Sequence, residues 1–362
     1  MSIVETAAPA PAVAEPGVPV SAPPTGAITP AHAAATTRSL QRWATLALFS
    51  CPVIWGTTFA VTRVLVGEGT TPPFYLLTIR FGLGFLAIWA LTQLARRWQA
   101  GGTGAAPVWR WRDYGEPTLV LGGLTYLGFS SQTLGMKTIA AGNSALITGL
   151  FVIFTPMMLA LLIRRTPAAR IWAAAAISFA GTWILSLTGQ AGGWTPQWGL
   201  GESLTLLCAA LFAIQIIATE YYTTRFDALY LTLGALLFAG VGSGITSLAW
   251  EFDRWAMSER EFLGAAYLGV TGTGICFALG TWGQRHVGVA RATMIFGCEP
   301  LFGAISAAIL LESESFHWRM VSGGLLILWA IWLCRPIEGE RSPLDEFLAK
   351  QQAAEGKMAI GG

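Results

Sequence analysis

The chain has 362 residues, of which 54% are hydrophobic and 12% charged, with 22 Lys plus Arg against 20 Asp plus Glu for a net charge of +2. A soluble domain is typically about 25% charged, so at a mean hydropathy of +0.56 too little polar material is present to cover soluble domains of this size, and lipid is the expected solvent. No basic run exceeds two residues, which excludes nucleic acid as a partner because phosphate binding needs clustered Lys and Arg.

Residues 1–37 are mostly Ala, Pro, Thr and Val with only Glu5 and Glu15 charged; without periodicity and rich in proline, they read as a disordered tail. No Lys or Arg precedes Arg38, so the charged start of a secretory signal peptide is missing and the first apolar run is expected to be retained. A helix needs ~20 apolar residues to cross the hydrocarbon core, and ten such runs follow. They cover 43–66, 74–95, 117–136, 144–163 and 171–188 in the first half, and 203–219, 228–250, 262–282, 289–311 and 318–334 in the second. Their continuity argues against a barrel, whose strands alternate over ~10 residues. Residues 336–362 form a polar tail.

Basic residues in loops are retained on the cytoplasmic side. With the N-terminus inside, sixteen of the 22 Lys and Arg fall on that side, and six outside even when Arg63 and Arg80 are counted outward. Both termini are therefore expected in the cytoplasm. Trp43, Trp98, Trp194, Trp198, Trp250 and Trp318 fall at predicted ends, where an indole anchors at the headgroups. The five cysteines form no Cys-x-x-Cys pair, so a zinc site is not expected.

The two halves repeat. Tyr126-Leu127-Gly128 precedes Pro156 by thirty residues counted from the Tyr, and Tyr267-Leu268-Gly269 precedes Pro300 by thirty-three. Both prolines are expected mid-helix in the fourth member of a five-helix half, each removing a backbone bond that lipid cannot replace. Five is odd, so tandem five-helix units must insert in opposite senses. The expected fold is thus an all-α integral membrane protein of ten transmembrane helices in two inverted five-helix repeats, 43–188 and 200–335. Inverted repeats with matched interruptions are the architecture of secondary transporters, with the substrate near the midplane.

Trp55-Gly56-Thr57-Thr58-Phe59, Ile79-Arg80-Phe81, Glu299-Pro300, Glu312 and Gly323-Gly324, in that order along such a chain, resemble the drug/metabolite transporter superfamily and its EamA-type branch over 43–336. The resemblance implies an inner-membrane transporter with a central cavity lined chiefly by helices one, three, four, six, eight and nine, commonly exporting amino acids or other small metabolites. Two features depart from it: the first half has Thr155-Pro156 where the second has Glu299-Pro300, and Arg164-Arg165 where an acid is common.

A charge at the bilayer centre costs about 2.5–3.5 kcal/mol on insertion scales, so each needs a reason. Arg80 reads as an anion contact, or else as a snorkelling or structurally paired cation. Glu299 reads as a group that binds a substrate amine or carries a coupling proton, or as a partner for backbone freed by Pro300. Gln132 and Gln215 offer donors and an acceptor to a pathway, with interhelical bonding as the alternative. Trp55 and Tyr126 are candidates for its aromatic wall, or packed core. Glu202 and Glu220 are expected in solvent. Gly240-x-x-x-Gly244 and Gly269-Val-Thr-Gly-Thr-Gly274 read as close-packing surfaces, internal rather than at a dimer contact, leaving monomer and homodimer both open. No ATP motif, metal ligand set or cofactor fingerprint occurs. The reading is a secondary transporter of small organic metabolites, an exporter with proton coupling through Glu299; the rivals are an importer, or a membrane-embedded lipid enzyme built on Glu312, Glu314 and His317.

Overall fold

The computed structural model describes residues 30–68, 70–99, 111–164, 167–186, 199–310 and 318–333. The chain divides into two units, Met1–Ser39 and Leu40–Gly362, and the packing described is that of the second. Among the described residues the regular structure is entirely helical. The first half comprises α1 (Pro30–Arg63), α2 (Pro73–Gln99), α3 (Trp111–Gly135), α4 (Ala141–Thr148), α5 (Phe151–Ile163) and α6 (Ala169–Ser186). The second comprises α7 (Leu200–Thr223), α8 (Ala228–Trp250), α9 (Glu259–Ala266), α10 (Cys276–Val287), α11 (Val289–Phe296), α12 (Glu299–Leu310) and α13 (Trp318–Leu333). Two π-helical pieces, Val64–Glu68 and Tyr267–Ile275, continue α1 and join α9 to α10.

Among the described residues, six helices or helix series are long and apolar enough to cross a membrane, Ser39–Gly67, Pro73–Leu94, Ala141–Leu162, Leu200–Thr223, Ala228–Trp250 and Glu259–Val287, and Val321–Leu333 is a shorter apolar helix. The sequence suggested ten. α3 opens among Arg112, Asp113 and Glu116, and α11 and α12 follow one another across a break at Gly297–Cys298 as α4 and α5 do across Gly149–Leu150. α1 also starts at Pro30, inside the segment read as a tail.

The breaks do not fall where the prolines are. Pro156 lies inside α5, and the interruption of that series is Gly149–Leu150, before it. Pro300 is the second residue of α12, in a first turn whose amide has no helical partner in any case. It starts a helix rather than kinking one, which corrects the mid-helix expectation for that residue. Sharp entries elsewhere are capped: Asp227 Oδ1 accepts from the Leu229 and Tyr230 amides at 2.9 and 3.3 Å, and Ser258 with Glu261 forms a reciprocal box at α9. Gly288, at φ +83°, turns the chain from α10 into α11 in a conformation that costs glycine little.

α2 packs along α8, α6 along α13, and α3 along both α7 and α8. Between apolar helices in lipid, close approach and small residues replace the hydrophobic drive, and the glycines supply it. A Cβ on Gly240 would stand 3.4 Å from Phe81 Cβ and one on Gly244 3.6 Å from Thr78 Cγ2, so this pair serves the internal α8–α2 contact. Large apolar side chains such as Leu161, Ile245 and Leu325 point outward, as lipid-facing residues do. Several buried hydroxyls turn back onto their own helix, as in Thr125 to the Leu121 carbonyl at 2.8 Å and Thr155 to that of Phe151 at 2.7 Å, which satisfies them without a partner helix.

Candidate functional site

Within the second unit the helices leave a cavity with about 690 Å³ of empty space. Its wall comes from α1 (Trp55, Thr58), α2 (Arg80), α3 (Phe129, Gln132), α5 (Phe151), α7 (Phe212, Gln215, Thr219), α10 (Cys276, Thr281, Gln284), α11 (Phe296) and α12 (Glu299). Five of the six residues picked out from sequence as pathway or coupling candidates meet here, though they lie on five different helices.

The cavity has two charged poles. Arg80 is 2% exposed, and its Nε donates to Thr273 Oγ1 at 2.7 Å while its Cζ sits 4.4 Å over the Phe129 ring centroid. That is a cation–π geometry, worth more where water is excluded. The side chain therefore turns inward and does not snorkel. Among the described residues its Nη1 and Nη2 meet no acceptor and no ion pair reaches it. Glu299 is 8% exposed and, among the same residues, its carboxylate accepts no side-chain hydrogen bond and joins no ion pair. Opposite charges thus face one chamber without neutralising each other in contact.

Aromatic and amide groups fill the wall between them. The Trp55 indole donates to the Gly272 carbonyl at 2.7 Å, and its ring lies 5.2 Å from Phe296 and 6.2 Å edge-on from Phe277. Gln132 Nε2 reaches Thr148 Oγ1 at 3.3 Å, and Gln215 Nε2 reaches Thr125 Oγ1 at 3.0 Å. Each amide is fixed by one bond, and Gln215 Oε1 finds no donor. Gln284 is in the same condition, 6% exposed with Oε1 unpartnered. It had no sequence signal of its own: read in a line it sits beside Arg285 and His286 at a helix end, and only the fold turns it inward.

Tyr126 lies elsewhere. Its hydroxyl shares a 2.7 Å hydrogen bond with Thr246 Oγ1 and its ring packs on Gly242 of α8, which places it in the α3–α8 contact and off the cavity wall. Glu220, expected in solvent, is 5% exposed; the last turn of α7 is covered by neighbouring helices, which end-of-helix position alone does not reveal. Glu312, Glu314 and His317, the basis of the enzyme alternative, lie outside the described residues.

Among proteins of known sequence, the EamA-like transporter family matches this chain twice, over residues 42–187 and 199–335. An uncharacterized transporter of Archaeoglobus fulgidus is 23% identical over 298 residues, 80% of this chain and 84% of its own length. The uncharacterized inner membrane transporter YicL of Salmonella typhimurium is 31% identical over 225 residues, 59% of this chain and 70% of its own. A WAT1-related protein of Arabidopsis thaliana is 22% identical over 150 residues, 40% and 41% of the two chains. A crystal structure with a TM-score of 0.62 at 21% identity covers 80% of this chain and 97% of the other, and shares the fold. These matches point to a transporter rather than an enzyme, and with two of them side by side along most of its length, the chain is a membrane protein that belongs to the EamA-like transporter family.

Proposed function

We propose that the cavity is the substrate chamber of a secondary transporter for small organic metabolites, with Arg80 and Glu299 as its anionic- and cationic-group contacts. The observation that carries this reading is that a buried guanidinium and a buried carboxyl group line one space without a mutual contact. A buried charge left without compensation costs several kcal/mol, and a bound zwitterion such as an amino acid compensates both. Trp55 and Phe296 give the apolar flank that ligand chambers combine with a few polar groups.

The working cycle is alternating access between two inverted five-helix repeats, ten crossings in all. Two tandem family matches support this, as do several helix pairings that are kept when the halves are exchanged. α2 with α8 and α6 with α13 map onto themselves. The contact of α3 with α8 maps onto that of the π-helical segment with α2. The contact of α4 and α5 with α7 maps onto the α1–α12 contact at Gly56 and Gly303. With both termini in the cytoplasm, Thr219 and Gln284 lie within about a turn of the cytoplasmic ends of α7 and α10. At the outer end Arg63 Nη1 ties α1 to the Met136 and Lys137 carbonyls at 2.6 and 3.0 Å. These contacts support a chamber closed at its outer end, which we read as that of an exporter in the inner membrane of the cell.

Counterflow in proteoliposomes against a panel of amino acids and other metabolites tests the assignment: at least one zwitterionic compound exchanges, and Arg80→Gln abolishes that exchange. Exchange of none of the panel, or undiminished exchange by Arg80→Gln, rejects it. For coupling, Glu299→Gln is expected to keep exchange but lose acceleration by an imposed proton gradient. Full gradient-driven flux in that variant removes Glu299 from the coupling role.

A further inference from the structure

Nine consecutive residues, Tyr267–Ile275, are wound as a π-helix between α9 and α10. A π turn is wider than an α turn, shifts the hydrogen-bond ladder, and recurs at functional sites. Here it holds two side chains of the chamber wall, Trp55 and Arg80, from behind. The Gly272 carbonyl takes the Trp55 indole N–H. Thr273, wholly buried and behind the chamber wall, takes the Arg80 Nε–H. The glycines of the segment let α2 come up against it: a Cβ on Gly269 would stand 2.8 Å from the Arg80 carbonyl, and one on Gly274 3.1 Å from that of Gly84.

We infer that Thr273 is a positioning residue, holding Arg80 end-on to the chamber as a fork for a planar two-oxygen anion, the carboxylate of the substrate. The inference rests on the chamber reading above. A guanidinium grips a carboxylate in two parallel bonds either along its side, through Nε and one Nη, or at its tip, through Nη1 and Nη2. Thr273 occupies Nε and closes the side. Phe129 covers one face, so stacking there is closed as well. What is left to this cavity-lining residue is the tip, where Nη1 and Nη2 have no acceptor among the described residues. A lysine has no such fork, and an arginine free to rotate presents it only part of the time.

The test uses full-length purified protein with Thr273→Val, which keeps the shape and removes the hydroxyl, and Thr273→Ser, which keeps the hydroxyl. Arg80 is labelled with phenylglyoxal, read by peptide mass spectrometry, and protected by added acetate as the carboxylate probe. Parent and Thr273→Ser should be protected alike, while Thr273→Val should need about tenfold more acetate, the worth of one charge-assisted bond. If Thr273→Val does not fold, Thr273→Ala is held to the same expectation. Equal protection in parent and the variant lacking the hydroxyl overturns the inference, as does loss of protection in Thr273→Ser. Because the readout needs no transport, a panel without exchange alongside intact acetate protection rejects the transporter reading and leaves the role of Thr273 standing.

Discussion

Gly56 and Gly303 meet where α1 crosses α12, next to Trp55 on one helix and four residues from Glu299 on the other. A Cβ added to Gly56 would lie 2.5 Å from the Gly303 nitrogen, 2.7 Å from the Phe302 carbonyl carbon and 2.9 Å from Phe302 Cβ. Two of these are backbone atoms, so no rotamer change relieves the clash and the helices must part by about an ångström to restore ordinary contact. Overpacking of this kind costs about 1–3 kcal/mol, and the same separation moves Trp55 away from the Phe296 ring. The substitution across the contact is the control, because a Cβ on Gly303 would stand 3.6 Å from the Gly56 carbonyl oxygen and 3.9 Å from Ala145 Cβ and Gly56 Cα, all ordinary distances. Gly56→Ala should therefore melt several degrees below the parent and exchange substrate more slowly, and Gly303→Ala should match the parent in both. The melt can be followed in detergent with a thiol-reactive dye, since Cys51, Cys208, Cys276 and Cys298 are all buried and free. If Gly56→Ala melts with the parent, or Gly303→Ala falls as far as Gly56→Ala does, the close-approach argument is wrong.

Tyr126→Phe removes the bond to Thr246 and should lower stability by about 0.5–1.5 kcal/mol without altering the exchange KM; a KM change would return Tyr126 to the pathway. Trp55→Phe keeps an aromatic surface beside Phe296 but gives up the bond to Gly272, so substrate affinity should fall about three- to tenfold, measured by counterflow, and an unchanged affinity would make that bond irrelevant to the chamber. Gln284→Leu removes a buried oxygen that has no donor among the described residues, so it should not destabilise the fold in the same melt yet should weaken exchange; destabilisation would show that the oxygen is satisfied by the protein itself.

Hydropathy located the helices because a crossing in lipid must be long, continuous and self-satisfied in its backbone bonds, a constraint that each segment meets locally. Arg80 and Glu299 were legible for the same reason, since a charge inside such a run needs an explanation wherever it occurs. The interruptions were not. Proline marks Pro156 and Pro300, yet the chain breaks at Gly149–Leu150 and Gly297–Cys298, where a Cβ on Gly149 would stand 3.2 Å from Pro300 and one on Gly297 2.7 Å from Val152. The breaks are set by one half pressing on the other, which no local pattern encodes. Gln284, Thr273 and the π wind are hidden in the same way, and Tyr126 stays open between cavity wall and packed core in the sequence because an aromatic in a span looks the same whether it faces a cavity or a neighbouring helix.

At the end of α8, the Glu251 carboxylate accepts from the Phe74 and Tyr75 amides at 3.2 and 2.8 Å and from Ser247 Oγ at 3.1 Å, and Ser247 in turn accepts from the Trp255 indole at 2.9 Å. The leading amides of α2 are thus bolted to a side chain of α8. Sliding one of these helices along the other by a single residue would strand two donors in a dry place, at about 1–3 kcal/mol each. Any rocking of the halves therefore has this riveted pair as its axle, and the travel has to be found in the helices that flank it.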